Sequence, residues 1–155
     1  MLVAQGNIAN TYRALGRLED CVRMRQYVYS GVLKLYGEDN IDTLAEANNY
    51  AHLLIDLKCF EQAKLLFRKT IPVARRVLGE SHELVIKMRR NNARALYTNT
   101  DATLDDLRKA VTTLEETDRI MRRVLGCAHP LTEGIETSLR NARAALRARE
   151  ETGGA

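Results

Sequence analysis

The chain has 155 residues, with 24 Lys and Arg against 20 Asp and Glu, a net charge of +4. That length suits one domain with its own core, and the charge is far below that of histone-like or polyphosphate-binding proteins. Two prolines, nine glycines, two phenylalanines and no tryptophan exclude the turn-rich, aromatic composition of sandwiches and barrels, while abundant Ala, Leu, Arg and Glu favour helices. No apolar run reaches the roughly 18 residues of a membrane span. The opening MLVAQGNIAN lacks the basic region and apolar core of a signal peptide. Cys21, Cys59 and Cys127 are odd in number, far apart and without a CxxC pair. They read as reduced thiols of a cytoplasmic protein, two of them packed as small hydrophobes.

The chain repeats itself. Lys34-Leu35-Tyr36-Gly37-Glu38-Asp39-Asn40, Arg76-Val77-Leu78-Gly79-Glu80-Ser81-His82 and Arg123-Val124-Leu125-Gly126-Cys127-Ala128-His129-Pro130 end three copies, their glycines 42 and then 47 residues apart. The first two copies align without a gap, Asn7 on Asn49, Ala9 on Ala51, Leu15 on Leu57, Glu19 on Glu61. The third keeps Asn91-Asn92-Ala93 and carries extra residues around 98–103. Agreement at a fixed period is the signature of a repeat architecture.

Each copy reads as two helices. The first starts almost at Met1, with Leu2, Val3 and Ile8 and no polar helix before it. That predicts an apolar, adhesive N-terminal edge, met by further repeats upstream or by self-association. In the second copy Leu44, Ala47, Ala51, Leu54 and Leu57 form one apolar stripe, Cys59 and Phe60 mark a turn, and Phe60, Ala63, Leu66, Phe67, Ile71, Ala74 and Leu78 form the next. Pro72 predicts a kink midway along that helix. Gly79 ends it in a left-handed conformation, Ser81 is a plausible N-cap, and Thr103 with Asp106 fits a capping box. A polar, glycine-free loop fills 98–103. A last helix over 131–149 carries Leu131, Ile135, Leu139, Ala142 and Leu146 on one side, as a terminal cap does. The expectation is an all-α solenoid over 1–150: repeats of about 1–37, 38–79 and 80–126, a terminal helix, seven helices in all, and a disordered tail over 151–155. Stacked helical pairs make a right-handed superhelix, with first helices lining its concave side.

Asn48-Asn49-Tyr50-Ala51-x-Leu53-Leu54, Phe60-Glu61-Gln62-Ala63 and the ending Val-Leu-Gly-x-x-His resemble the tetratricopeptide repeats of kinesin light chains, whose period is about 42 rather than 34 residues. The resemblance covers nearly the whole chain. It implies about 3.5 tetratricopeptide repeats and a protein-interaction scaffold whose concave first helices hold extended peptides with asparagines and basic residues. Carried onto this sequence, it gives Lys87, Arg90, Asn91 and Arg94 in the third copy, Asn48, Asn49 and His52 in the second, and Asn7 and Asn10 in the first. Positions 87, 90, 91 and 94 share one helical face. An amide offers a peptide backbone both donor and acceptor, and arginine offers a carboxylate a bidentate pair.

Residues 82–97 hold four basic residues (Lys87, Arg89, Arg90, Arg94) against Glu83, a net of +3, so the expected ligand is an acidic peptide. In the related light chains, acidic residues flanking a tryptophan are one such ligand. Shorter tetratricopeptide domains instead clamp a terminal carboxylate, and Asn10, Asn49 and Lys87 match part of that clamp, whereas Gly6 and Asn91 depart from it. The Asn pairs have a second reading, as bonds between neighbouring helices, and the basic cluster a second reading as a solvated face. His82 and His129 recur where the first copy has Asn40, which reads as a structural position. Cys127 with His129 is two ligands, short of a zinc site. Glu115, Glu116 and Asp118 are adjacent carboxylates that helical spacing spreads over a solvated face. GxxxxGK[ST] and GxGxxG are both absent, so neither an enzyme nor a cofactor is expected. RNA binding, which needs a side-chain code in every copy, fits less well because the basic residues concentrate in one. The remaining alternative is a fragment of a larger array without a ligand of its own.

Overall fold

The computed structural model describes residues 16–153. They form six α-helices and, among the described residues, no strand: α1 Leu18–Tyr36, α2 Ile41–Asp56, α3 Phe60–Leu78, α4 Glu83–Tyr97, α5 Leu104–Val124 and α6 Pro130–Gly153. The expected helix at the start of the chain, with Asn7 and Asn10, lies outside the described residues, as do 154 and 155. The final helix runs four residues beyond its expected end at 149, so the segment 151–153, expected to be disordered, is helical. There the Thr152 hydroxyl bonds the Ala148 and Arg149 carbonyls at 3.1 Å each. The chain divides between Val77 and Leu78 into two compact units, and each is described by itself.

Second helices of the copies bury one narrow stripe: Ala63, Phe67, Thr70 and Ala74 in α3, and Leu107, Ala110, Leu114, Thr117 and Met121 in α5. First helices bury much more of their circumference, Thr43, Leu44, Ala47, Asn48, Ala51, Leu53, Leu54 and Ile55 in α2. α6 buries a single stripe of Thr132, Ile135, Leu139 and Ala142. In the second unit α4, α5 and α6 pack against one another around Ile86, Ala93, Leu114, Met121 and Ile135. In the first, α1 packs on α2, with Cys21 and Leu53 in contact and the rings of Tyr29 and Tyr50 stacked 6.2 Å apart. α3 continues as helix on both sides of Pro72.

The joints between copies share one device. Gly37, Gly79 and Gly126 have φ of 81°, 87° and 83°, which an L-side chain adopts only at a cost. A Cβ on any of them would meet nothing within 4 Å, so backbone conformation and not space selects glycine. Three residues later a side chain caps the next helix. Asn40 Oδ1 accepts the Asp42 N–H at 2.8 Å, His82 Nδ1 that of Leu84 at 3.1 Å, and His129 Nδ1 that of Leu131 at 3.2 Å. Asn Oδ1 and His Nδ1 stand the same number of bonds from Cα, both sp² acceptors, which explains why the two residues interchange here. Ser81, the expected cap, is exposed and is displaced from that role by His82. Thr103 and Asp106 form the expected reciprocal box.

Inside the second copy the turn is a Schellman closure. Cys59 N–H bonds Leu54 O at 2.8 Å and Lys58 N–H bonds Ile55 O at 2.9 Å, with Lys58 left-handed at φ 60°. Gly16, 42 residues earlier, has φ 73°. The 98–103 loop is tied down rather than open: Asn99 Oδ1 accepts the Asp101 N–H at 3.0 Å, Ala102 is buried, and Arg149 donates to Thr100 O at 2.6 Å.

The shared joint predicts two outcomes in urea unfolding of the intact chain. His82→Asn leaves stability nearly unchanged while His82→Ala costs about 1 kcal/mol, and Gly79→Ala costs about 1–2 kcal/mol although it clashes with nothing.

Candidate functional site

α4 brings Lys87, Arg90, Asn91 and Arg94 onto one side of a single helix, but their surroundings differ. Lys87 Nζ lies 2.5 Å from Glu83 Oε1, and that hydrogen bond, with the charge behind it, holds the Glu83 carboxyl below its usual range. Asn91 is 4% exposed and has a partner within the chain, as does half-buried Arg94. Arg90 is half-buried too, and among the described residues it has neither an ion pair nor a hydrogen bond. Its guanidinium lies against α6 at Gly134, where a Cβ would stand 2.7 Å from Nη1.

Arg89, counted with the basic cluster, is fixed elsewhere. Its side chain is 11% exposed and bonds Glu80 at 3.2 Å and Glu116 of α5 at 2.7 Å. The local excess of positive charge is therefore narrower than the count of basic residues implies, and Arg90 is its centre. The carboxylates expected on a solvated face are paired there, Glu116 exposed and Glu115 and Asp118 half-buried. Glu116 takes Arg89, Glu115 takes Arg143 of α6 at 2.7 Å, and Asp118 takes Arg122 at 2.7 Å. Arg122 also reaches Glu136 of α6 and, at 3.4 Å, Cys127 Sγ. Asp118 Oδ1 is buried without a hydrogen-bond partner.

In the first unit, α2 carries Asn48, Asn49 and His52. Asn48 is 8% exposed and engaged within the chain, whereas Asn49 is exposed, its amide nitrogen 3.4 Å from Glu46 Oε1. His52 Nδ1 lies 3.6 Å from Asp56 Oδ2. Burial of Asn48 and Asn91 agrees with their reading as bonds inside the fold and leaves Asn49 as the outward amide. A cleft of about 440 Å³ in this unit, lined by Tyr29, Leu33, Leu44, Leu65, Leu66 and Val73 among others, contains none of the expected site residues.

Two features escaped the sequence reading. Arg25 Nη1 bonds Glu46 Oε2 at 2.8 Å between α1 and α2, with side chains 9% and 20% exposed. The repeat register held the signal. Arg25 falls where later copies have Phe67 and Leu114, and Glu46 where they have Met88 and Ile135, all four fully buried. Gly134 is the other, its role visible only once Arg90 is in place.

Among the described residues no group of three or more His, Cys, Asp or Glu is placed to hold a metal, and His129 spends Nδ1 on its helix cap. No helix among them is long and apolar enough to cross a membrane.

No family model matches the chain, and no curated protein matches it. Solved structures do. A Podosopora anserina protein described as a kinesin light chain with nearly identical TPR-like repeats superimposes with a TM-score of 0.75 at 22% identity, covering 99% of this chain and 70% of that one. A single-substitution variant of it gives 0.78 at the same identity and coverage. BtubC (BKLC) of P. vanneervenii gives 0.71 at 16% identity, covering 97% of this chain and 62% of that one. The fold is that of TPR-like helical repeats. The resemblance to kinesin light chain repeats, read from the residues, is thus matched by the architecture across nearly the whole TPR-like chain.

The buried pair predicts a sign reversal. Arg25→Leu alone, which strands Glu46, costs about 3 kcal/mol, and adding Glu46→Ile restores stability to near the starting value. Chemical denaturation of both variants checks this.

Proposed function

We propose that the chain is a protein-interaction scaffold that binds an extended, acidic peptide on the first-helix face of its second unit, without catalysis or cofactor. Arg90 carries the reading. A half-buried guanidinium with no partner among the described residues has given up part of its hydration without compensation, and a carboxylate restores it through a bidentate, charge-assisted pair. Arg94 and Lys87 flank it one turn away on either side, at the spacing an extended chain can follow. Asn91 supports the helix from within. Asn49 and His52 offer the first unit's α2 face a weaker, neutral grip on backbone.

The TPR-like architecture supports a partner that is a protein, and cysteines in no disulfide among the described residues, Cys127 exposed among them, fit a reducing, cytoplasmic setting. The N-terminal edge remains the proposed place for self-association or neighbouring repeats.

The test is a peptide array of acidic and neutral sequences with a polynucleotide control, probed with the wild type and an Arg90→Glu, Arg94→Glu double variant. The expected result is capture of acidic peptides, weakened by about a hundredfold in the double variant, one factor of ten for each charged contact, with the helical signal unchanged. Retention of polynucleotide alone, falling steeply with salt, would overturn the peptide reading in favour of nucleic acid.

A further inference from the structure

Glycine is a poor choice in the interior of an ordinary helix, because it gives up more backbone freedom on folding than alanine. Gly134 stands there, in the second turn of α6. The repeat glycines are explained by positive φ in open space, whereas Gly134 has no such φ and is the crowded one: Arg90 Nη1 would lie 2.7 Å from a Cβ and Cζ 3.9 Å. The missing side chain is replaced by the guanidinium of the neighbouring helix. In the repeat register the same position is Ala45 in the second copy and Lys87 in the third, so glycine is not a demand of the repeat. Here the Arg90 guanidinium occupies the space a side chain would take, and an alanine would have to push it aside.

We infer that Gly134 is a positioning residue for the peptide site: it seats the Arg90 guanidinium on the surface of α6 and so pre-orients it as the anchor for a peptide carboxylate. The inference rests on the acidic-peptide reading and adds its specificity element. Arginine's fork pays off for a carboxylate only when its plane is held, since ordering a long side chain at the moment of binding subtracts from affinity. Packing against a glycine supplies that order in advance. Ser138 completes the arrangement on the α6 side by donating its hydroxyl to Gly134 O at 3.0 Å, which keeps that carbonyl occupied.

The experiment uses fluorescent hexaglutamate and hexaglutamine peptides as probes, measured by anisotropy on the wild type, Gly134→Ala, Arg90→Ala and the double variant. Melting curves and the Arg90 Nε–Hε resonance of each free protein accompany them. The inference predicts that Gly134→Ala weakens hexaglutamate binding about tenfold, leaves hexaglutamine unchanged, melts no lower than wild type and moves the Arg90 resonance. The double variant then binds like Arg90→Ala alone. Losses that multiply in the double variant, or an Arg90 resonance that stays put in Gly134→Ala, overturn the role of Gly134 while the acidic-peptide reading stands on Arg90→Ala. A wild type that does not prefer hexaglutamate overturns that reading, and the inference with it.

Discussion

Between copies a repeat chain must stop one helix and start the next, and this chain does both with the same few residues. A glycine in the left-handed region turns the backbone at Gly37, Gly79 and Gly126, and the side chain three residues on satisfies an N–H that the new helix cannot bond for itself. Asn40, His82 and His129 do this through chemically different atoms in the same place. With the joints fixed, apolar stripes fall at predictable depths, and the first helices can bury most of their circumference while the second helices bury one side.

Charge completes what the apolar stripes begin. In the second unit arginines of α4, α5 and α6 reach carboxylates on neighbouring helices, Arg89 to Glu116, Arg122 to Glu136 and Arg143 to Glu115. Exposed pairs of this kind contribute little individually. Their consequence is local, because they tie Arg89, Arg122 and Arg143 to carboxylates within the second unit. On α4, Arg90 is laid on Gly134 beside residues already committed to partners.

Much of this was legible in the sequence. The glycine period gave the repeat, the Thr103–Asp106 spacing gave a cap, and the resemblance to kinesin light chain repeats gave the architecture. Ser81 reads as a cap because hydroxyls are a common choice, whereas the alignment of His82 with Asn40 points to the histidine. The Lys87–Glu83 pair follows from i,i+4 spacing. Arg89 with Glu116, 27 residues away, does not, since no local rule says which helices meet. Asn48 and Asn91 share a residue type with Asn49 but not an environment, and a half-turn of helix decides which is buried. Gly134 reads from sequence as a weakness in a helix and becomes meaningful only when the neighbouring arginine occupies its missing side chain.

The α4 face of the second unit, centred on Arg90, is the proposed seat of an acidic peptide. Backbone amide mapping by NMR during titration with an acidic peptide found by the array tests it most directly. Shifts concentrated along Lys87, Arg90 and Arg94 and at the Gly134 amide, with the outer side of α5 silent, are the predicted result. Shifts confined to α5, or to the apolar cleft between Leu33 and Leu65 in the first unit, would contradict it.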